Sequence, residues 1–466
     1  VAEVDDQEHA AEILTDGSEH AATAAAGNGA ATPSSDAYDA VIVGASLAGC
    51  TAAILLARAG ARVALLEQRP DPSAFKRICT HFIQSSGVHT LERLALLEPM
   101  LAAGALRSRG RLHTPWGWIL PPVESSVPSS VNLRREHLDP MIRKLAGETP
   151  GVELILGVTV DGLERGGGTV CGVRAHRPGG ETLALRARLV VGADGRDSRV
   201  AKLSGVRART VRHGRFAYGG YFEGPPPEGA PDASLWVLDP DMAAAFPTDG
   251  GLTFYVAMPT KDRLAEFRGD PLEALTEFVA AIPDAPPILA SRLVGQVTGK
   301  IDMTNVIHAP TAPGLALVGD AAAALDPLWG VGCGFALQSS EWLADSVAPA
   351  LADRGRARGT LGSSSERLER GLRRYRRRYA FGLRGHTTMI LGYSSGRKLE
   401  PAERLLFSAA ARDERLAAIF EAFGTRNIGP VRMIATAAPR AMLVGARHRL
   451  SSRGDGRLRA MQTGGA

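Results

Sequence analysis

Tyr38-Asp39-Ala40-Val41-Ile42-Val43-Gly44-Ala45-Ser46-Leu47-Ala48-Gly49 is a short apolar run that meets a glycine-spaced turn. Residues 47–59 continue it as an Ala- and Leu-rich stretch of helical character, and residues 62–66 are apolar again and end at Glu67. The pattern predicts a strand, a helix and a second, parallel strand. Gly44 permits the tight turn out of the first strand, and Gly49 lets the helix lie close to the sheet. The helix N-terminus then offers free N–H groups and its positive dipole end to a pyrophosphate. Glu67, eighteen residues beyond Gly49, stands where a carboxylate accepts from the hydroxyls of an adenosine ribose. Ser46 departs from the fingerprint, because it sets a side chain where a middle glycine would let backbone approach phosphate.

A membrane span is the competing reading of this stretch, since residues 40–57 carry no charge over eighteen positions. Gly44, Ser46, Gly49 and Thr51 interrupt the run, and Arg58, Arg62 and Glu67 follow at once, which argues against a span.

Two further segments follow in order: Gly192-Ala193-Asp194-Gly195-Arg196-Asp197-Ser198-Arg199, then Gly319-Asp320 leading to Pro327-Leu328-Trp329-Gly330-Val331-Gly332. One long phosphate-bearing ligand that touches the chain at three distant points accounts for all three, and FAD is the expected cofactor. The fold class expected is α/β: a Rossmann-like FAD-binding domain of the glutathione-reductase type, interleaved with an antiparallel substrate sheet and followed by C-terminal helices.

Composition agrees with a chain of several domains. The 466 residues carry 54 Lys and Arg against 49 Asp and Glu, and eight of those acids fall in the first 36 residues, which hold no Lys or Arg. That segment reads as an acidic disordered tail without the basic start and apolar core of a secretion signal. Cys50, Cys79, Cys171 and Cys333 are scattered without metal-ligand spacing, so no disulfide framework or metal site is expected and a reducing cytoplasm fits. Eight arginines between Arg367 and Arg384 surround Leu368, Leu372, Tyr375 and Tyr379. Their spacing makes one apolar helical stripe with a solvated basic face, and no recognised module adds nucleic-acid binding to it.

The organisation expected is an acidic tail (1–37), three parts of the FAD-binding domain (38–106, 133–210 and 299–345), substrate-domain segments (107–132 and 211–298), a helical C-terminal region (346–450) and a tail (451–466). Strands are expected over 152–160, 169–175, 182–188, 189–192 and 315–318, and a helix over 135–145.

The order of the three motifs, Arg77 following Glu67, and Arg135-Glu136-His137-Leu138 resemble the single-component flavin monooxygenases related to para-hydroxybenzoate hydroxylase. The resemblance covers most of residues 38–344. It implies that Asp194 and Gly195 lie near both FAD and the nicotinamide cofactor, that Asp320 accepts from the ribityl hydroxyls, and that Arg77 and Arg135 contact FAD. It further implies that Pro327, Gly330, Val331 and Gly332 bring backbone N–H groups beside the flavin ring. The activity implied is oxygen insertion through a peroxyflavin into an aromatic or polyketide-like small molecule, with NADPH or NADH as electron donor and no catalytic triad. Trp116-Gly117-Trp118-Ile119-Leu120-Pro121 is similar to a halogenase motif, but it precedes Asp194 and no lysine lies between Lys76 and Lys144, so chance explains the match. Lys76-Arg77-Ile78-Cys79 resembles an element of geranylgeranyl reductases, which makes reduction or dehydrogenation of a lipid-like substrate the alternative. A flavin-binding protein without turnover is a third possibility.

Overall fold

A computed structural model describes residues 37–352 and 361–463. The acidic tail expected at the N-terminus lies outside them, apart from residue 37.

The strand Tyr38–Val43, the helix Leu47–Arg58 and the strand Val63–Glu67 form where the sequence pattern puts them. Eleven of the helix's twelve residues are buried. That burial explains both the uncharged run and its limited length, and no described helix is long and apolar enough to cross a membrane.

The main sheet runs in the order Thr311–Ala312, Leu315–Leu317, Thr182–Gly192, Tyr38–Val43, Val63–Glu67, Val152–Leu156. Four of the five pairings in that order are parallel: Val43 lies beside Gly192 and Leu66, Gly192 beside Leu317, and Glu67 beside Leu156. The three glycine-bearing motifs therefore leave neighbouring strands at the same, carboxyl, end of the sheet. That end is where open α/β sheets bind ligands.

Two strand expectations need correction. The run 152–160 is two strands, Val152–Leu156 and Thr159–Gly166, broken where Gly157 takes φ +69°. The segments 182–188 and 189–192 are one strand, Thr182–Gly192. Its first half pairs antiparallel with Thr169–His176 and its second half runs parallel to Tyr38–Val43, so burial rises along one continuous strand as its partners change.

A second sheet of seven strands runs in the order Arg292–Lys300, Ala217–Glu223, Leu252–Met258, Met242–Pro247, Ala233–Val237, Gly110–Thr114, Gly117–Ile119. All its pairings are antiparallel except that of Ala233–Val237 with Gly110–Thr114. Alternate residues face opposite ways. Phe246, Phe254, Val256 and Met258 join one apolar cluster, with Tyr393, Phe407, Leu416 and Ala437 of the C-terminal helices. Ala243, Ala245, Tyr255 and Ala257 join another, with Phe278 and Val279 of the helix Pro271–Ala280, which lies within the segment 211–298 assigned to the antiparallel substrate domain. With both faces covered, Leu252–Met258 is apolar on both sides and shows no simple alternation of polarity.

The C-terminal region is helical over Leu361–Ser394, Pro401–Ala410, Glu414–Gly424 and Pro430–Thr463. Leu368, Leu372, Tyr375 and Tyr379 are buried as one stripe, and the Tyr375 hydroxyl donates to the Leu317 carbonyl at 2.7 Å. Arg373, Arg374, Arg376 and Arg377 stay exposed, as expected of a solvated face.

Candidate cofactor and active site

The first turn is built by close approach of backbones. Gly44 has φ +102°, and a Cβ there would meet the Ala193 carbonyl oxygen at 2.5 Å. A Cβ on Gly49 would meet the Gly44 carbonyl oxygen at 1.8 Å. The glycines thus press the first motif against the second, and Gly319, whose Cβ would lie 2.9 Å from that of Ala48, presses it against the third.

Around this turn stands a ring of charged side chains. Glu67 accepts the Ala45 N–H at 2.9 Å and the Arg69 N–H at 3.1 Å. The helix Arg135–Glu148 presents Arg135, Asp139 and Arg143, four residues apart and all buried, to the same turn. Arg143 donates to the Ala45 carbonyl at 3.0 Å. Arg135 pairs with Asp139 at 2.6 Å and donates to the Ser46 hydroxyl at 2.8 Å. The serine that replaces the middle glycine is therefore bound to this helix, and it makes no side-chain cap for its own. Burial works against the Arg135 charge, but Asp139 and two nearby sulfurs more than offset it, so its pKa lies above the ordinary arginine value.

The chain from 68 to 81 brings more groups in. Lys76 pairs with Asp320 at 3.0 Å, and its backbone N–H donates to Asp139 at 2.9 Å. Arg77, which the resemblance implies as an FAD contact, is exposed beside Lys76. Cys79 and Cys333, 254 positions apart in the chain, lie with their sulfurs 3.7 Å apart, both as free thiols. His81 takes φ +60°, uncommon for a side chain other than glycine. Its Nδ1 accepts the Arg135 N–H at 3.3 Å, which places the ring proton on Nε2, hydrogen-bonded to the Tyr221 hydroxyl. Phe254 packs edge-on to His81, so an aromatic face of the second sheet meets His81, whose ring is tied to the start of the helix that reaches Ser46 through Arg135.

Asp194 turns back onto its own loop, accepting the Ser198 hydroxyl at 2.5 Å and the Val200 N–H at 2.9 Å, while Gly195 takes φ +84°. Arg196, not singled out by sequence, donates to the carbonyls of Thr304 and Leu325 and so ties the second motif to the approach of the third. Pro327 and Val331 flank the turn at Gly330, which has φ +62°, and Gly332 opens the twenty-residue helix Gly332–Leu351. Its first turn leaves N–H groups without helical partners.

Asp326 holds this loop by accepting the Leu328 N–H at 2.9 Å, while its other carboxylate oxygen is buried without a partner among the described residues. Burial raises its pKa to about 6. An acid raised above its unfolded value favours the folded state below about pH 4 and loses that contribution as pH climbs through about 6, up to about 3 kcal/mol. Asp326→Asn is expected to flatten the stability profile between those limits, read as urea midpoints across pH. A wild-type profile already flat there would contradict this.

Trp116 to Pro121 form a hairpin at the edge of the second sheet, with Trp118 packed on His113 and Trp236 and its Nε1 donating to Asp284 at 2.8 Å. The hairpin is a structural edge.

A parallel sheet with three motifs meeting at its carboxyl end, a glycine cradle that a Cβ would fill, and an open helix N-terminus without acidic residues in its first turn is the site of a dinucleotide-binding flavoprotein. Residues 37–377 match the family described as FAD binding domain, and the chain belongs to that family, within the para-hydroxybenzoate hydroxylase-like group of FAD-dependent oxidoreductases. It is 29% identical over 334 residues to digeranylgeranylglycerophospholipid reductase 1 of Methanococcoides burtonii, which covers 68% of this chain and 76% of that one. It is 31% identical over 324 residues to kynurenine 3-monooxygenase of Salinispora arenicola, covering 64% and 70%. Among solved structures, the flavin-dependent brominase Bmp2 superposes with a TM-score of 0.70 over 90% of this chain and 100% of that one, at 17% identity, a likeness of fold alone.

Proposed function

We propose that this protein is an FAD-dependent monooxygenase that takes electrons from NADPH or NADH and oxygenates an aromatic or polyketide-like small molecule. The observation that carries the reading is an aromatic face of the second sheet, Tyr221 and Phe254, packed on His81, which is joined through Arg135 to Ser46 of the dinucleotide turn. The kynurenine 3-monooxygenase relative supports the oxygenase class.

Bound FAD supplies two-electron transfer and activation of molecular oxygen. The residues of this chain do the rest. Gly44, Ser46 and Gly49 leave the N–H groups of the first helix to the pyrophosphate, with Arg135 and Arg143 adding positive charge behind them. Glu67 retains acceptor capacity for the ribose hydroxyls beyond its two backbone bonds. Asp320 takes the ribityl hydroxyls. The loop from Pro327 through Gly332 and the helix it opens would hold the flavin ring and offer it backbone N–H groups that favour negative charge there. Asp194 and Gly195 shape the loop beside the nicotinamide donor. His81 and Tyr221 hold a proton at the Tyr221 oxygen, where a substrate hydroxyl or carbonyl is positioned. The second sheet, backed by the C-terminal helices, excludes water. The four free cysteines suit a reducing cytoplasm as the place of action.

Asp320→Ala is expected to weaken FAD binding by about 1.5–3 kcal/mol, roughly 10- to 150-fold, through loss of a charge-assisted hydrogen bond. Equilibrium titration of the apoprotein with FAD measures this, and an unchanged affinity would show that Asp320 is misassigned.

Reduction of a lipid-like substrate is the second reading, favoured by the likeness to the Methanococcoides burtonii reductase. Turnover under labelled molecular oxygen separates the two. The monooxygenase places one labelled atom in the product, whereas an unlabelled product formed equally well without oxygen favours the reductase.

A further inference from the structure

We propose that Cys79 and Cys333 form a redox-active dithiol site at which a hydroperoxide is reduced and a disulfide is made, a reaction separate from turnover at the flavin. The sulfurs are 3.7 Å apart, and Cys79 is half-buried, within reach of solvent. Cys333 is the second residue of a twenty-residue helix, so both sulfurs lie at that helix's positive end, which favours one thiolate in the pair. A guanidinium nitrogen of Arg135 sits 3.8 Å from both sulfurs, and the His81 N–H donates to Cys79 at 3.3 Å. Buried, inert cysteines sit in apolar surroundings, whereas reactive ones sit in electropositive, partly exposed ones. Cys50 is the internal contrast, since burial pushes its thiol up.

The two sulfurs have unequal roles. The contact with Cys333, opposed by burial and helped by His81 and Arg135, holds the Cys79 thiol well below its ordinary pKa, and the same contact, with burial, pushes Cys333 up. Cys79, the more exposed of the two cysteines and the one that accepts the His81 N–H, is the thiolate, and Cys333 is the resolving thiol. The Cys79 sulfur attacks one oxygen of hydrogen peroxide and the O–O bond breaks. Sulfur is oxidised to sulfenic acid, and the departing hydroxide takes up the proton that Cys79 had released, leaving as water. The Cys333 sulfur then attacks the Cys79 sulfur, and hydroxide leaves with the Cys333 proton as a second water. Two thiols and one peroxide give one disulfide and two waters. Closing the sulfurs to about 2.05 Å requires movement that the irregular chain before residue 82 supplies, since the helix bearing Cys333 is packed in the core.

The test uses the full-length protein with its FAD bound and no nicotinamide cofactor present, so that the flavin generates no peroxide. After stoichiometric hydrogen peroxide and then denaturation, the count of alkylatable cysteines is expected to fall from four to two. A non-reducing peptide map should join the Cys79 and Cys333 peptides, with reversal by dithiothreitol. Cys333→Ser should leave a sulfenic acid on Cys79 that dimedone captures, and Cys79→Ser should leave Cys333 alkylatable. Four cysteines still alkylatable after peroxide, or oxidation of Cys79 without the linked peptide, would overturn the proposal. The wild-type map decides the pairing whatever the stability of either variant.

Discussion

Gly49→Ala is expected to purify without flavin and to unfold at a lower temperature than the wild type. The added methyl carbon would stand 1.8 Å from the Gly44 carbonyl oxygen and 3.3 Å from the Ala193 Cβ. Neither neighbour is the end of a flexible side chain. The helix Leu47–Arg58 must back away from the strands, or the Gly44 turn must open. Overpacking of this kind costs about 3 kcal/mol when backbone has to move, and it displaces the N–H groups that hold the pyrophosphate. A loss of FAD affinity of roughly a hundredfold or more follows. Gly424→Ala is the control: its Cβ meets nothing within 4 Å at the end of a helix, so alanine is expected to stabilise by about 0.5–1 kcal/mol. Flavin content and thermal midpoint measure both variants. A fully loaded Gly49→Ala protein of unchanged midpoint would refute the close approach.

That result depends on a part of the molecule that the sequence displays openly. In residues 38–67 the determinants are local: an apolar run, two glycines at a fixed spacing and a terminal carboxylate, all within one supersecondary unit. Other features were legible only in part. Arg135, Asp139 and Arg143 stand four apart in a helix the sequence does indicate, and that spacing alone marks a single face. Only Arg135 was read from it, because nothing in the sequence says that this face turns toward Ala45 and Ser46. Lys76 and Arg77 are adjacent bases in an irregular segment without periodicity, so sequence cannot say which reaches Asp320. Cys79 and Cys333 meet because that segment lies against the start of a helix 254 residues later, a tertiary fact with no local signature. The C-terminal helices were visible as helices, yet their place against the second sheet depends on Phe407, Leu416 and Ala437 finding a partner face far back in the chain.

Arg135→Met tests the centre of the site most severely. Arg135 is 3% exposed and Asp139 is 1% exposed, and their pairing at 2.6 Å also carries the Ser46 hydroxyl. Methionine fills much of the volume but leaves the Asp139 carboxylate buried with only the Lys76 N–H as a strong donor. Breaking a buried pair on one side costs about 3–5 kcal/mol, because the remaining charge is neither solvated nor matched. The Arg135→Met protein is therefore expected to lose that much stability in urea unfolding and to bind FAD poorly, since positive charge behind the pyrophosphate turn is gone. Arg135→Met combined with Asp139→Leu removes the stranded charge as well. The pair should be less destabilised than the sum of the single changes by about 1–3 kcal/mol, and the shortfall is the coupling between the two side chains. Strict additivity would mean that Asp139 finds other partners when Arg135 is lost, leaving the arginine to act on the dinucleotide turn alone. The coupled outcome would instead make the pair a single buried unit that fixes Ser46, and with Ser46 the start of the helix that meets the pyrophosphate.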